Sequence, residues 1–247
     1  MKISVITATF NSISTIAQCL DSVREQTYPH VDHVLIDGGS TDGTLALLQS
    51  RREQFAVLVS ERDRGIYDAL NKGLDRATGD VVGFLHSDDW YPSPDVLSAV
   101  AAPFADPTVD AVYGDLDYVS KNNISHVIRR WQAGEVRRSS LALGWMPPHP
   151  TLFVRRRAYQ ALGGFDTSYS IAADYHSVLR MFSQPGFKAV YVPNVLVKMR
   201  VGGESNRSLA NVITKSRQDL MALRQTGVGG WGSLLAKNLR KIPQFFA

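Results

Sequence analysis

Two adjacent carboxylates, Asp88 and Asp89, follow an apolar run in the stretch Phe84-Leu85-His86-Ser87-Asp88-Asp89-Trp90. Like charges held together at the end of a strand repel, and a cation offsets that cost. Mg²⁺ or Mn²⁺ is the natural partner, because these hard cations take oxygen ligands and share them with phosphates. The alternative is that Asp88 or Asp89 caps the following helix. The two roles are compatible: one carboxylate can hold metal while the other orders the loop.

The surrounding pattern says how these residues are positioned. Ile3–Thr7, His33–Asp37, Ala56–Ser60, Val81–Leu85 and Ala111–Tyr113 read as buried strands. Helical spacing separates them: Ile16, Leu20 and Val23 behind a Ser12 cap, then Leu45, Leu47 and Leu48 behind Thr41 or Asp42. Further helices are expected over Ile66–Ala77 and Val96–Phe104. Strands alternating with helices predict an α/β fold with a mostly parallel, doubly wound sheet and helices on both faces. Ligands of such sheets bind at the carboxyl ends of the strands. Here those ends carry Thr9-Phe10-Asn11, Asp37-Gly38-Gly39, Glu61-Arg62-Asp63-Arg64 and His86-Ser87-Asp88-Asp89.

The second half is less regular. Tyr118–Trp131 reads as one or two strands, Thr151–Val154 as a short one, and Ala189–Val192 and Val195–Val201 as two more. Helices are expected over Arg156–Leu162, Asp174–Phe182 and Leu209–Arg224. Gly227, Gly229 and Gly230 form a hinge before Trp231–Phe246.

The ordered set of motifs resembles the family 2 glycosyltransferases of the GT-A fold. It comprises Ser4-Val5-Ile6-Thr7-Ala8-Thr9-Phe10-Asn11, Gln26-Thr27-Tyr28, Asp37-Gly38-Gly39-Ser40-Thr41-Asp42-Gly43-Thr44 and Asp63-Arg64-Gly65-Ile66-Tyr67-Asp68-Ala69-Leu70-Asn71-Lys72-Gly73. Ala77-Thr78-Gly79-Asp80, Gly163-Gly164-Phe165-Asp166 and Ala173-Asp174-Tyr175 complete it. The likeness covers roughly the first 200 residues. It implies a single GT-A-type catalytic domain over 1–206, with a nucleotide-sugar half (1–117) and an acceptor half (118–206), followed by a basic helical extension (207–247).

The resemblance also implies roles. The family's Asp-x-Asp motif reads His86-Ser87-Asp88 here, so Asp88 becomes the metal ligand and His86 a departure of open role. Asp37 takes the nucleoside position, with Thr7 and Thr9 beside it; a turn-forming aspartate is the alternative for Asp37. Asp63 and Arg64 are placed near base and diphosphate; for Arg64 an ion pair with Asp68 is the alternative. Asp174 falls at the catalytic-base position. His149, with Asp89 and Arg180, is assigned to the acceptor or substrate. Gly202-Gly203-Glu204-Ser205-Asn206 resembles a late loop near the phosphates. The implied activity is inverting, metal-dependent transfer of a sugar from a nucleotide diphosphate to an acceptor hydroxyl. Assembly of a cell-surface polysaccharide or glycolipid is the implied setting.

Other classes fit less well. A dehydrogenase would carry Gly-x-Gly-x-x-Gly after the first strand, and a P-loop nucleotidase would carry Lys after its second glycine; neither is present. A nucleotidyltransferase shares the metal carboxylates. A catalytically inactive sugar-nucleotide-binding subunit is compatible with His86.

Cys19, the single cysteine, allows no intrachain disulfide and sits in a core pattern. No leader or membrane-spanning run is legible, which predicts a cytoplasmic protein. The net charge of +4 belongs to the tail: from Arg207 on there are seven Lys/Arg and one acid, Asp219. In Trp231–Phe246, Leu234, Leu235, Leu239 and Ile242 fall near one helical face, flanked by Lys237, Arg240 and Lys241. That mixture predicts peripheral contact with an anionic membrane surface, with packing on the catalytic domain or a homodimer contact as alternatives. No nucleic-acid partner is expected.

Overall fold

A computed structural model describes residues 1–201 and 209–239, the side chains of Arg138 and Leu209 excepted. The chain runs β1 (Ile3–Thr9), α1 (Ile16–Arg24), β2 (Val31–Asp37), α2 (Thr44–Ser50), β3 (Val57–Ser60), α3 (Ile66–Arg76), β4 (Val81–Phe84) and α4 (Val96–Ala101). Then follow β5 (Ala111–Val119), β6 (Val127–Trp131), α5 (Arg138–Leu141), β7 (Phe153–Arg155), α6 (Arg156–Leu162), α7 (Ala173–Phe182), β8 (Ala189–Arg200), α8 (Leu209–Gln225) and α9 (Trp231–Leu239).

One mixed sheet organises these elements, in the order β3-β2-β1-β4-β7-β5-β6, with β8 paired to the other side of β5. β1 pairs in parallel with β2 and β4, β2 with β3, and β5 with β8. The short β7 is antiparallel to β4 and β5, and β6 is antiparallel to β5. Apolar layers cover both faces. Ile16, Leu20, Leu48, Leu97 and Val100 pack on one, and Leu70, Tyr159, Val178, Leu220 and Leu234 on the other. Burial on both faces explains why β1 lacks polar alternation: all seven of its residues are buried.

The strands and helices of the first half form near their expected places, but the expected caps do not. α1 and α2 begin after Thr15 and Gly43 without a side-chain cap. Ser12 donates its hydroxyl to Phe10 O, and Asp42 accepts Thr44 N–H at 3.0 Å from the turn before α2. Pro103 ends α4 early, in a 3₁₀ turn over Ala102–Ala105. The two strands expected after residue 188 are one strand, β8, whose register against β5 slips opposite Gly114–Leu116.

Two motifs far apart in sequence dock on each other. The Asn71 side chain on α3 donates to Phe165 O at 2.9 Å and accepts Phe165 N–H at 2.8 Å. A Cβ on Gly164 would stand 2.6 Å from Asn71 Oδ1. This contact closes the second half over the ends of the strands.

The last two helices fold back onto the body. Leu220, Ala222, Leu223 and Leu234 join the same core as α7. Lys237 turns inward: its Nζ lies 2.8 Å from Asp219 Oδ1 and 3.2 Å over the Tyr175 ring. The expected cationic edge therefore loses Lys237 to a buried ion pair. Arg240, Lys241, Ile242 and the loop 202–206 lie outside the described residues.

Candidate active site

The site forms at the carboxyl ends of β1, β2 and β4, closed by the first turn of α7. At β2, the buried Asp37 carboxylate accepts the N–H groups of Gly39 (3.2 Å) and Ser40 (3.1 Å) and the hydroxyls of Ser40 and Ser60 (2.6 Å). These bonds shape the Gly38-Gly39 turn and tie it to β3. Asp37 is thus the residue that holds the turn at the end of β2.

Gly38 is the floor of that turn. A Cβ there would meet Asp63 Oδ2 at 2.5 Å and the Phe10 ring at 3.4 Å. Phe10 is 62% exposed. A bare peptide between an open aromatic ring and a carboxylate can take a flat, hydrogen-bonding base. The sequence named Phe10 only as part of the strand end Thr9-Phe10-Asn11; its apolar side chain among polar neighbours was the available signal.

Two expected donor-site residues turn elsewhere. Thr7 points into the core, where its hydroxyl meets His33 Nε2 at 3.0 Å. Arg64 is 84% exposed and pairs with Asp68 at 3.0 Å, the alternative noted for it. Thr9 Oγ1 is buried without a hydrogen-bond partner.

At β4, Asp89 N–H donates to His86 O at 3.0 Å, and Ser87 Oγ meets Ser12 Oγ at 2.9 Å. Asp88 is partly exposed, and its carboxylate takes no hydrogen bond from a described residue. Its backbone is anchored: Arg200, at the end of β8, donates to Asp88 O and to Gln18 Oε1. The guanidinium also stacks 4.6 Å over Trp90. Sequence reasoning missed Arg200, which lies 112 residues from Asp88.

Asp89 is fully buried, and among the described residues its carboxylate takes no side-chain hydrogen bond. Burial first, then the Asp88 charge, push its pKa well up, with Arg200 opposing. Its burial puts Asp89 beneath the loop rather than on the acceptor side, where it was expected from sequence.

Asp174 stands in the first turn of α7 and accepts a hydrogen bond from Tyr67 Oη at 3.2 Å. Gln218 of α8 fixes that turn from behind, accepting the N–H groups of Ile171 (2.9 Å) and Ala172 (3.1 Å). Between Asp88 and Asp174 lie two imidazoles. His149 stacks on Phe84, with ring centroids 5.5 Å apart, and its centroid is 6.2 Å from that of His86. Neither His149 nitrogen has a partner. Burial lowers the His149 pKa to about 4 against the upward pull of Asp174. Burial also lowers His86, against Asp88 and Asp174. Both rings are neutral near pH 7. Arg180, in the last turn of α7, lies outside this group, beside Asp166 and His176.

Among the described residues no three His, Cys, Asp or Glu side chains converge as a metal cage. The donor set fits Mg²⁺ or Mn²⁺ differently. One unengaged carboxylate, Asp88, leaves most positions to phosphate oxygens and water, as these cations commonly accept in nucleotide sites.

A sheet of this order, with helices on both faces, is the GT-A fold of glycosyltransferases. Residues 4–164 match the model of glycosyl transferase family 2. The chain belongs to that family and is a glycosyltransferase. It is 35% identical over 187 residues to an uncharacterized glycosyltransferase of Mycobacterium tuberculosis, spanning 72% of this chain and 68% of that one. A PGL/p-HBAD biosynthesis glycosyltransferase of Mycobacterium bovis is 34% identical over 212 residues, covering 82% and 78%. Among solved structures, the mannosyltransferase PcManGT of Pyrobaculum calidifontis, in complex with GDP-Man and Mn²⁺, superposes with a TM-score of 0.70 at 26% identity. That match covers 99% of this chain and 73% of PcManGT. The S. aureus TarS fragment 1–349 with UDP shares the fold, with a TM-score of 0.65 at 20% identity over 90% of this chain; the chain spans 65% of that fragment. No helix among the described residues is long and apolar enough to cross a membrane.

Proposed function

We propose that the chain transfers a sugar, with inversion, from a nucleotide diphosphate to an acceptor hydroxyl in a divalent-metal-dependent reaction. The observation that carries this reading is the division of labour between two carboxylates. Asp88 is unengaged at the strand end, and Asp174 faces the same cleft from a helix braced on both sides.

The nucleoside lies on Gly38 between Phe10 and Asp63, in the turn held by Asp37. Asp88 is the residue that would hold Mg²⁺ or Mn²⁺. When bound, the cation supplies positive charge toward the leaving diphosphate. Asp174 takes the proton of the attacking hydroxyl as that oxygen bonds to the anomeric carbon, and the bond to the diphosphate breaks. One base and a single displacement give inversion. His86 and His149, both neutral, line the sugar and acceptor side, where each can donate one hydrogen bond and accept another.

The GDP-Man and Mn²⁺ of the Pyrobaculum structure support a nucleotide-diphospho-sugar and a metal. The relative named for PGL/p-HBAD biosynthesis supports a role in glycolipid assembly. Retention of Asp174 favours the transferase over an inactive binding subunit or a nucleotidyltransferase.

The test is turnover of UDP- and GDP-linked sugars by the purified chain with Mn²⁺, with EDTA, and as Asp88→Ala. Loss of turnover in the last two is expected. Full turnover in EDTA refutes the metal dependence, and a retained anomeric configuration refutes the single displacement.

A further inference from the structure

The outer surface of the C-terminal helix pair carries a feature that sugar transfer does not use. Six of the fourteen exposed large apolar side chains among the described residues lie on α8 and α9: Val212, Ile213, Met221, Trp231, Leu235 and Leu239. They form stripes. On α9, Trp231, Leu235 and Leu239 recur every four residues and are 67%, 63% and 55% exposed. On α8, Ile213, Arg217, Met221 and Arg224 follow one exposed face at helical spacing. The two stripes meet where the Arg224 guanidinium lies 5.8 Å over the Trp231 ring.

The charge of this surface has one sign. The only acid after residue 206, Asp219, is 3% exposed and is taken up by Lys237 at 2.8 Å and Lys215 at 3.4 Å. Arg217 and Arg224 remain on the outside, and Arg240 and Lys241 follow in the sequence. Among the described residues of α8 and α9, exposed Trp, Leu, Ile and Met with arginines set among them and no exposed acid make the composition of an interfacial surface on anionic lipid.

We infer that the outer faces of α8 and α9 together dock the enzyme on an anionic phospholipid surface. The docking element is thus a composite of two helices rather than α9 alone, whose Lys237 is buried. Its inner side is the brace of the catalytic helix: Gln218 holds the turn before Asp174, and Lys237 lies over Tyr175. Docking here sets the α7 side of the cleft next to the lipid headgroups. The inference goes beyond the transfer chemistry and is tested apart from it.

The test is flotation of the full chain with phosphatidylcholine vesicles, with and without phosphatidylglycerol. Two variants accompany it, Leu235→Ser/Leu239→Ser and Arg217→Glu/Arg224→Glu, none of these residues being in the catalytic machinery. The unmodified chain is expected to float with the anionic vesicles only. Each variant is expected to bind them at least about tenfold more weakly, the charge reversal losing its residual salt dependence. Both keep their thermal midpoint and nucleotide-diphosphate affinity. Equal flotation of all three proteins overturns the inference, as does absence of flotation by the unmodified chain. So does a dimer of the unmodified chain, seen by light scattering, that the Leu235→Ser/Leu239→Ser variant dissolves, because the patch would then be a protein contact. Loss of nucleotide binding in the unmodified chain would instead count against the transferase mechanism and leave the vesicle result standing.

Discussion

Tyr67 Oη lies 3.2 Å from Asp174 Oδ1, and the same hydroxyl reaches Ile171 O. The contact joins α3, in the nucleotide half, to the first turn of α7. Burial and the Asp174 charge raise the Tyr67 pKa well above its usual range, so it remains a phenol and a donor. Removing the hydroxyl as Tyr67→Phe should lower kcat about tenfold, on the scale of a lost hydrogen bond to a charged group. Nucleotide affinity, measured calorimetrically, should be unchanged. An unchanged kcat would mean that Gln218 and the helix alone position the base.

Gly38 gives a prediction of the opposite kind. Its φ is not in the left-handed region, so alanine is allowed by the backbone. The new methyl would press on Asp63 Oδ2 at 2.5 Å. Gly38→Ala should raise the donor KM about tenfold or more while leaving kcat within about threefold, the signature of lost ground-state binding. A fall in kcat at constant KM would place the nucleoside elsewhere.

Arg200 holds Asp88 by its carbonyl, stacks on Trp90 and reaches Gln18 on α1. Arg200→Met should weaken Mn²⁺-dependent nucleotide-diphosphate binding about tenfold. Arg200→Lys should restore little, because one ammonium cannot make two divergent bonds and a planar stack. Calorimetric titration with and without Mn²⁺ distinguishes this from general destabilisation, which would not depend on the metal.

Much of this was legible in the sequence, for physical reasons that also mark the limit. Alternating elements and polar strand ends placed Asp37, Asp63 and Asp88 at the carboxyl ends of the sheet, because parallel strands present those ends together, whereas Asp174, on a helix, was singled out only by the family resemblance. Side-chain direction was not legible. Thr7 and Thr9 share one face of β1, and the spacing does not tell whether that face meets the cleft or α1. Asp89 is adjacent to Asp88 in sequence yet turns beneath the loop. Arg64 and Lys237 each had two charged partners available, and packing chose the protein partner in both cases. Arg200, Tyr67 and Gln218 act across more than a hundred or some tens of residues, and no local pattern announces such contacts.

His33 makes a prediction about stability. It is 5% exposed, accepts or donates toward Thr7 Oγ1 at 3.0 Å, and burial lowers its pKa to about 3. The unfolded chain binds this proton near pH 6.5 and the folded chain does not. Stability is therefore fully present above about pH 6.5 and is lost as pH falls toward 3. Between pH 7 and pH 5 the loss from His33 is on the order of 2 kcal/mol. Urea midpoints at the two pH values check it: His33→Gln should flatten the difference, and an unchanged pH dependence would assign it to other groups.

The central claim is that Asp174 is the base and Asp88 the metal ligand. Single-turnover transfer by Asp174→Asn, at saturating donor and Mn²⁺, tests it most directly when paired with a calorimetric nucleotide affinity. The account predicts a rate lower by ~10²–10⁴, the usual scale for loss of a general base, with nucleotide affinity unchanged. Transfer by Asp174→Asn at the rate of the unmodified enzyme would contradict it.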